Sequence, residues 1–243
     1  MSVALNVTRT PYTRAKTAPW NVVEGRGQMP RSPPADAKFD ALRKMGVTIR
    51  FERNETIFSE GDEAGYSYKV VSGAIRLCKH LANGRRQIAS FFFPGDYCGF
   101  LQMKEHCFTA EAAADTVVLC YEQRQVERLC DENPEVRKQL IGMIGTKFAD
   151  MRDHVVMLGR QTARARVASF LAYLVHRAGA AEGSTVELPM GRQDIADYLG
   201  LTIETVCRVL SQMKRSRLIN LPTLYQFVVA DMGRLHAVAE GEE

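Results

Sequence analysis

Arg192-Gln-Asp-Ile-Ala-Asp-Tyr-Leu-Gly-Leu-Thr-Ile-Glu-Thr-Val-Cys-Arg-Val-Leu-Ser211 is the stretch on which the reading of this chain turns. It fits two short helices joined by a tight turn. Ala196 is small where the two helices would cross closely. Gly200, four residues on, falls where such a turn needs a left-handed backbone, which glycine adopts without steric cost. Val206 lies six beyond Gly200 and would pack back under the first helix. Ile195, Leu199, Leu201, Val209 and Leu210 supply the other apolar contacts, and Thr202 is suited to cap the second helix, its hydroxyl accepting a free backbone N–H.

A helix-turn-helix can be purely structural, so the weight falls on the polar start of its second helix, the part that reaches base edges when such a helix enters the major groove. Glu204 and Arg208 are four apart and share one face. Arginine can pair bidentately with guanine and glutamate can accept from cytosine N4, each good contact giving about 1–3 kcal/mol of discrimination. The plainer alternative is a surface ion pair between the two. The expected DNA-contacting set is Thr202, Ile203, Glu204, Thr205, Cys207 and Arg208, with Arg192 and Lys214. Cations are in mild local excess: Arg192, Arg208, Lys214, Arg215 and Arg217 against Asp194, Asp197 and Glu204. Leu218-Ile-Asn-Leu-Pro and Tyr225-Gln-Phe-Val-Val then read as a hairpin, or wing.

Upstream, a proline-free helical stretch runs from Asn133-Pro134 to about Arg160. Ile141, Ile144, Phe148, Met151, Val155 and Leu158 recur in it at spacings of 3, 4, 3, 4 and 3, a heptad seam. A helix packed only on its own domain uses a wider apolar stripe. Here Lys147, Asp150, Arg152, Asp153 and Arg160 crowd the other faces, which favours pairing with a second copy. A further helix is expected over about Thr162 to Ala178.

From Val47 to Glu122 short apolar runs alternate with turn residues such as Glu60-Gly-Asp, Ser72-Gly73 and Pro94-Gly-Asp, the pattern of a small β sandwich or barrel. Residues 1–35 hold five prolines and five scattered cations without periodicity, and read as a flexible basic tail. The expected division is therefore 1–35 tail, 36–130 β domain, 131–160 dimerisation helix and 161–243 winged helix-turn-helix.

Composition is that of a globular protein, with 46% apolar and 25% charged residues and a formal charge of +4 over 243 residues. No run of about 18 apolar residues suggests a membrane span, and no signal-peptide core opens the chain. The cysteines Cys78, Cys98, Cys107, Cys120, Cys130 and Cys207 form no CxxC pair, which suits free thiols in a reduced cytoplasm. No catalytic constellation, P-loop, nucleophile elbow or metal-type histidine spacing is present, so no enzyme is expected. Cys78 and His80 form a Cys-x-His pair that a strand edge explains more cheaply than haem does.

A strand-rich N-terminal domain, a long dimerising helix and a winged helix-turn-helix together resemble the CRP/FNR family, from about Phe39 to Leu235. Pro94-Gly-Asp-Tyr-Cys-Gly-Phe is similar to its β-roll glycine turn, and Asp194 to Arg208 is similar to its recognition motif. The resemblance implies an α+β fold: an antiparallel β-roll of cyclic-nucleotide-binding type, a dimerisation helix and a C-terminal winged helix-turn-helix. It implies a homodimeric transcription regulator, an activator that contacts RNA polymerase. In the family the positions of Glu204 and Arg208 contact bases. The position of Cys207 is commonly Ser in FNR-type and Gly in CRP-type members, and Ile203 before Glu204 favours FNR-like TTGA-type half-sites in inverted repeat. The Asn83-Gly-Arg-Arg loop is a candidate polymerase contact.

The ligand signatures of the family are missing. Gly99-Phe100 replaces its Gly-Glu step, and no arginine lies between Arg86 and Arg124 to neutralise a cyclic phosphate. Cys120 matches the roll ligand of an iron–sulfur cluster, yet residues 1–77 contain no cysteine, and four thiolates are needed. No cofactor is expected. What remains resembles the FixK subgroup, activators of microaerobic or anaerobic respiration and nitrogen-fixation genes whose abundance an upstream system sets. The alternative is a CRP-type regulator responding to a cyclic nucleotide or haem. Cys207 adds a possible redox switch: it lies near the recognition-helix N-terminus beside Arg208, surroundings that activate a thiol, and its oxidation would set an oxyacid or adduct against the DNA phosphates.

Overall fold

The computed structural model describes residues 45–242 except Asn83, residues 100–103 and Gln161. The expected tail, 1–35, and the Phe100 position lie outside the described residues.

Eight strands form the roll: β1 (Val47–Phe51), β2 (Thr56–Phe58), β3 (Tyr66–Ser72), β4 (Ile75–His80), β5 (Arg86–Phe92), β6 (Tyr97–Cys98), β7 (Thr109–Ala112) and β8 (Thr116–Glu122). They make two antiparallel sheets, β1-β8-β3-β6 and β2-β7-β4-β5. Phe58, Tyr68, Val70, Ile75, Phe92, Cys98, Ala110, Val118 and Cys120 fill the space between them. Cys120 is thus a core thiol, and burial pushes its pKa up to about 11.

Helices α1 (Gln123–Glu132) and α2 (Pro134–Arg160) follow, meeting at Asn133, whose side chain accepts from the Val136 N–H. Val126, Val136 and Leu140 root both helices on Tyr121 of the roll. Helix α3 (Ala163–Ala178) begins at Thr162, which accepts from the Ala165 N–H at 3.2 Å, and stops at Gly179 in the left-handed conformation. Strand β9 (Thr185–Glu187) leads to α4 (Arg192–Leu199) and α5 (Ile203–Arg215). The hairpin β10 (Ile219–Thr223) and β11 (Gln226–Val229) joins β9 in a three-stranded sheet, and α6 (Met232–Glu240) closes the fold. No described helix is long and apolar enough to cross a membrane.

Two polar nodes and one apolar core bind the parts together. The core runs without a break from Cys78, Ile88, Phe91 and Phe93 of the roll to Phe170, Leu171, Ile195, Val206 and Phe227. In the first node Asp96, in the Pro94-Gly-Asp turn, receives Arg177 of α3 and Lys147 of α2, at 2.5 and 3.3 Å. In the second, Arg76 and Arg86 of the roll hold Asp194 and Asp197 of α4. Arg86 belongs to the basic loop read as a polymerase contact, but it turns inward: burial works against its charge, and hydrogen bonds and charges from Asp197 and Asp194 outweigh that and raise its pKa.

Along α2 the structure separates two faces. Lys147, Asp150, His154 and Met157 face the chain's own body: Asp150 meets the Tyr173 hydroxyl, and His154 Nε2 lies 2.8 Å from the Tyr198 carbonyl. Ile141, Ile144, Phe148, Met151 and Val155 stay exposed, Phe148 and Val155 by more than two thirds. Leu158 departs from this row. It is half-buried against the chain's own core, with its Cδ2 beside Gly200, because a 3.5-residue repeat drifts by about 20° per heptad on a straight helix.

Candidate nucleic-acid interface

The turn between α4 and α5 is built as its residues require. Gly200 has φ 62° and ψ 38°, and its N–H reaches back to the Ala196 carbonyl. The Leu201 N–H donates to the same carbonyl at 3.0 Å. Ala196 and Val206 are fully buried where the helices cross, and Val209, Leu210 and Met213 continue the inner face of α5. Thr202 caps α5, accepting from the Thr205 N–H at 3.3 Å.

Once that inner stripe is fixed, the helical period decides what faces outward. Glu204, Cys207, Arg208, Ser211 and Lys214 are exposed, as is Thr202. Thr205 is half-buried with its hydroxyl next to that of Thr202, at 3.2 Å. Ile203, expected among the DNA-contacting residues, is half-buried and packs against the core at the start of the helix. The Glu204 carboxyl is held below the usual carboxylate range by its own backbone N–H and by the Thr202 hydroxyl. It is therefore an ionised acceptor in the first turn of the helix.

Beside this face, Arg192, Ser211, Lys214 and Arg215 line a groove closed by the wing residues Leu221 to Leu224. Arg192 is half-buried there, burial lowers its pKa, and its buried Nη1 has no hydrogen-bond partner. Because that Nη1 is buried, the exposed Lys214 and Arg215 are the cations of the groove that stand open to a phosphate oxygen. At the wing tip Leu224 and Tyr225 are exposed. The arrangement offers an acceptor and a donor four residues apart on one ridge, flanked by cations. Among these groups nothing resembles a reaction centre.

Residues 48–133 match the cyclic nucleotide-binding domain family, and residues 165–238 match the Crp-like helix-turn-helix domain. The nitrogen fixation regulation protein FixK of Bradyrhizobium diazoefficiens is 39% identical over 181 residues, 74% of this chain and 76% of the relative. The chain belongs to the CRP/FNR family of transcription regulators, in its FixK-like group. The transcriptional activatory protein AadR of Rhodopseudomonas palustris is 35% identical, covering 76% of this chain and 78% of the relative. The solved structure of FixK2 from Bradyrhizobium japonicum superposes with a TM-score of 0.75 at 38% identity, over 79% of this chain and 96% of that one. The α+β fold expected from the sequence, with its roll, long helix and winged helix-turn-helix, is the fold of this CRP/FNR chain.

Sequence reasoning missed two features near the interface. The capture of Asp194 and Asp197 by Arg76 and Arg86 left no local signal, since the partners are about a hundred residues apart. The groove behind Arg192 needs the wing to be folded back over α5, which composition alone does not reveal.

Proposed function

We propose that the protein acts as a homodimeric transcription activator on TTGA-type inverted repeats. One observation carries this reading: α5 turns Glu204 and Arg208 outward together while Val206, Val209, Leu210 and Met213 anchor it from behind. In the complex, Glu204 and Arg208 read base edges. Thr202, Thr205, Arg192 and Lys214 hold the backbone, with Cys207 between the readers. The second copy pairs along Ile141, Ile144, Phe148, Met151 and Val155, placing two recognition helices on successive major grooves. Leu158 joins at the edge of that contact. The likeness to FixK and AadR extends the reading to activation through RNA polymerase of nitrogen-fixation and microaerobic or anaerobic respiration genes.

The test is binding of the purified full chain to a TTGA-type inverted repeat and to a scrambled duplex, at two salt concentrations. The expected preference is about a thousandfold or more. Equal affinity for both duplexes, with salt dependence alone, would reduce the protein to a non-specific binder.

Oxidation of Cys207 is part of the same proposal. Its thiol is exposed on the reading face, and an oxyacid there would meet phosphate oxygens. Peroxide treatment is expected to abolish operator binding in the parent and to spare Cys207→Ser.

A further inference from the structure

On the face of the roll that meets α4, three metal-binding side chains converge. Cys78 and His80 are two residues apart on β4 and therefore share a face. Glu111 comes from β7, which pairs with β4 so that Arg76 opposes Glu111 and Cys78 opposes Thr109. A Cys78 sulfur, a His80 ring nitrogen and a Glu111 oxygen all lie within 4.8 Å of one another. In a tetrahedral zinc site with bonds of about 2.0–2.3 Å, ligand atoms stand roughly 3.3–3.6 Å apart. Closing the triad takes a contraction of about 1 Å, within reach of side-chain torsions such as those of the exposed His80.

Burial is graded across the three: Cys78 is fully buried, Glu111 half-buried and His80 exposed. The sulfur end is closed, while the imidazole end gives an ion a way in and leaves room for a water as fourth ligand.

Charge supplies an independent argument. Arg76 and Arg86 face Glu111, Asp194 and Asp197, all with side chains less than a fifth exposed. Among these five side chains two cations meet three anions, so their formal charges sum to one negative charge, part of which the Gly191 N–H and the Gln193 amide offset by donating to Asp194 and Asp197. A divalent ion bound by the Cys78 thiolate adds one net positive charge and balances it. Glu111 can serve both arginine and ion, because a carboxylate offers two oxygens with about four lone-pair sites. Thiolate, imidazole and carboxylate together select a borderline ion over magnesium or calcium.

We propose that Cys78, His80 and Glu111 form a divalent transition-metal site of the zinc class, at the seam between the roll and the helix-turn-helix. Binding forms a metal–sulfur bond at Cys78 Sγ and releases the thiol proton to solvent, with no change of oxidation state.

The test uses the full chain carrying Cys107→Ser and Cys207→Ser, which removes the two exposed thiols, stripped with chelator and titrated with cobalt(II). One cobalt per chain is expected, with a sulfur-to-cobalt charge-transfer band that zinc(II) abolishes. Cys78→Ser should lose the band. His80→Ala alters an exposed side chain and so preserves the fold. It should weaken binding by about tenfold or more, since even the loss of an outer partner of a ligand costs that much. Absence of stoichiometric binding, binding without the thiolate band, or unchanged affinity in His80→Ala would each overturn the proposal.

Discussion

Arg76 of the roll and Asp194 of the helix-turn-helix, 118 residues apart in sequence, stand 3.2 Å from each other with both side chains less than a tenth exposed. Asp194 also accepts from Arg86 and from the Gly191 N–H that opens its own helix. One carboxylate therefore starts α4 and fixes it to the roll.

Asp194→Asn keeps the shape and removes the charged acceptor that Arg76 and Arg86 share, so the tie between roll and helix loses its ionic part while Glu111 and Asp197 still face the two guanidinium groups. Breaking such a buried pair costs about 3–5 kcal/mol. Arg76 retains Glu111, so the expected loss is at the lower end, read from urea denaturation. Asp197→Asn should cost less than half as much, because Arg86 keeps Asp194. Equal small losses in both variants would show that the contact contributes little.

Base readers and phosphate binders should separate experimentally. Arg208→Ala and Glu204→Ala are expected to lose about 1–3 kcal/mol each on the preferred operator and little on scrambled DNA. Lys214→Ala should weaken both duplexes alike and make the log–log salt slope shallower by about 0.9. Fluorescence anisotropy at several salt concentrations distinguishes the two patterns.

The exposed stripe on α2 can be tested with one charge. Phe148→Glu places a carboxylate in the middle of the proposed pairing surface without touching the chain's own core. The expected outcome in sedimentation is a shift from dimer to monomer, with operator binding falling in parallel. A dimer that persists at micromolar concentration would move the interface elsewhere.

His154 makes a pH prediction. Burial lowers its pKa, against the opposing pull of the Tyr198 and Ala89 carbonyls. The folded state thus binds a proton less readily than the unfolded chain, so stability rises with pH through this window. The contribution is complete above about pH 6.5 and is lost progressively as the pH falls towards the lowered folded value. Urea midpoints should drop between pH 7.5 and pH 5.5, and more steeply in the parent than in His154→Gln.

What was legible in the sequence followed from rules acting over a few residues. Ala196, Gly200 and Val206 each answer a local steric demand, so the two helices and the turn between them could be read. The seam of α2 was equally plain except at Leu158, where accumulated helical drift turns the side chain into its own domain. Strand β7 leaves little trace in the sequence, because Thr109-Ala-Glu-Ala has little intrinsic strand preference and is held by its neighbours β2 and β4. Helix α1 was missed because it buries fully only Val126, too little to make a periodic signal. The arginine–aspartate contact and the Cys78–His80–Glu111 triad depend on strands and helices distant in sequence, and only the folded chain brings them together.

The bare stripe along α2 also bears on how a cell could use the protein. A regulator completed only by pairing on that surface has, while monomer predominates, an active form that grows with the square of its concentration. Doubling its synthesis then raises the operator-competent species about fourfold by mass action. Control exerted on the amount of the chain would be sharpened before any ligand or oxidant acts upon it.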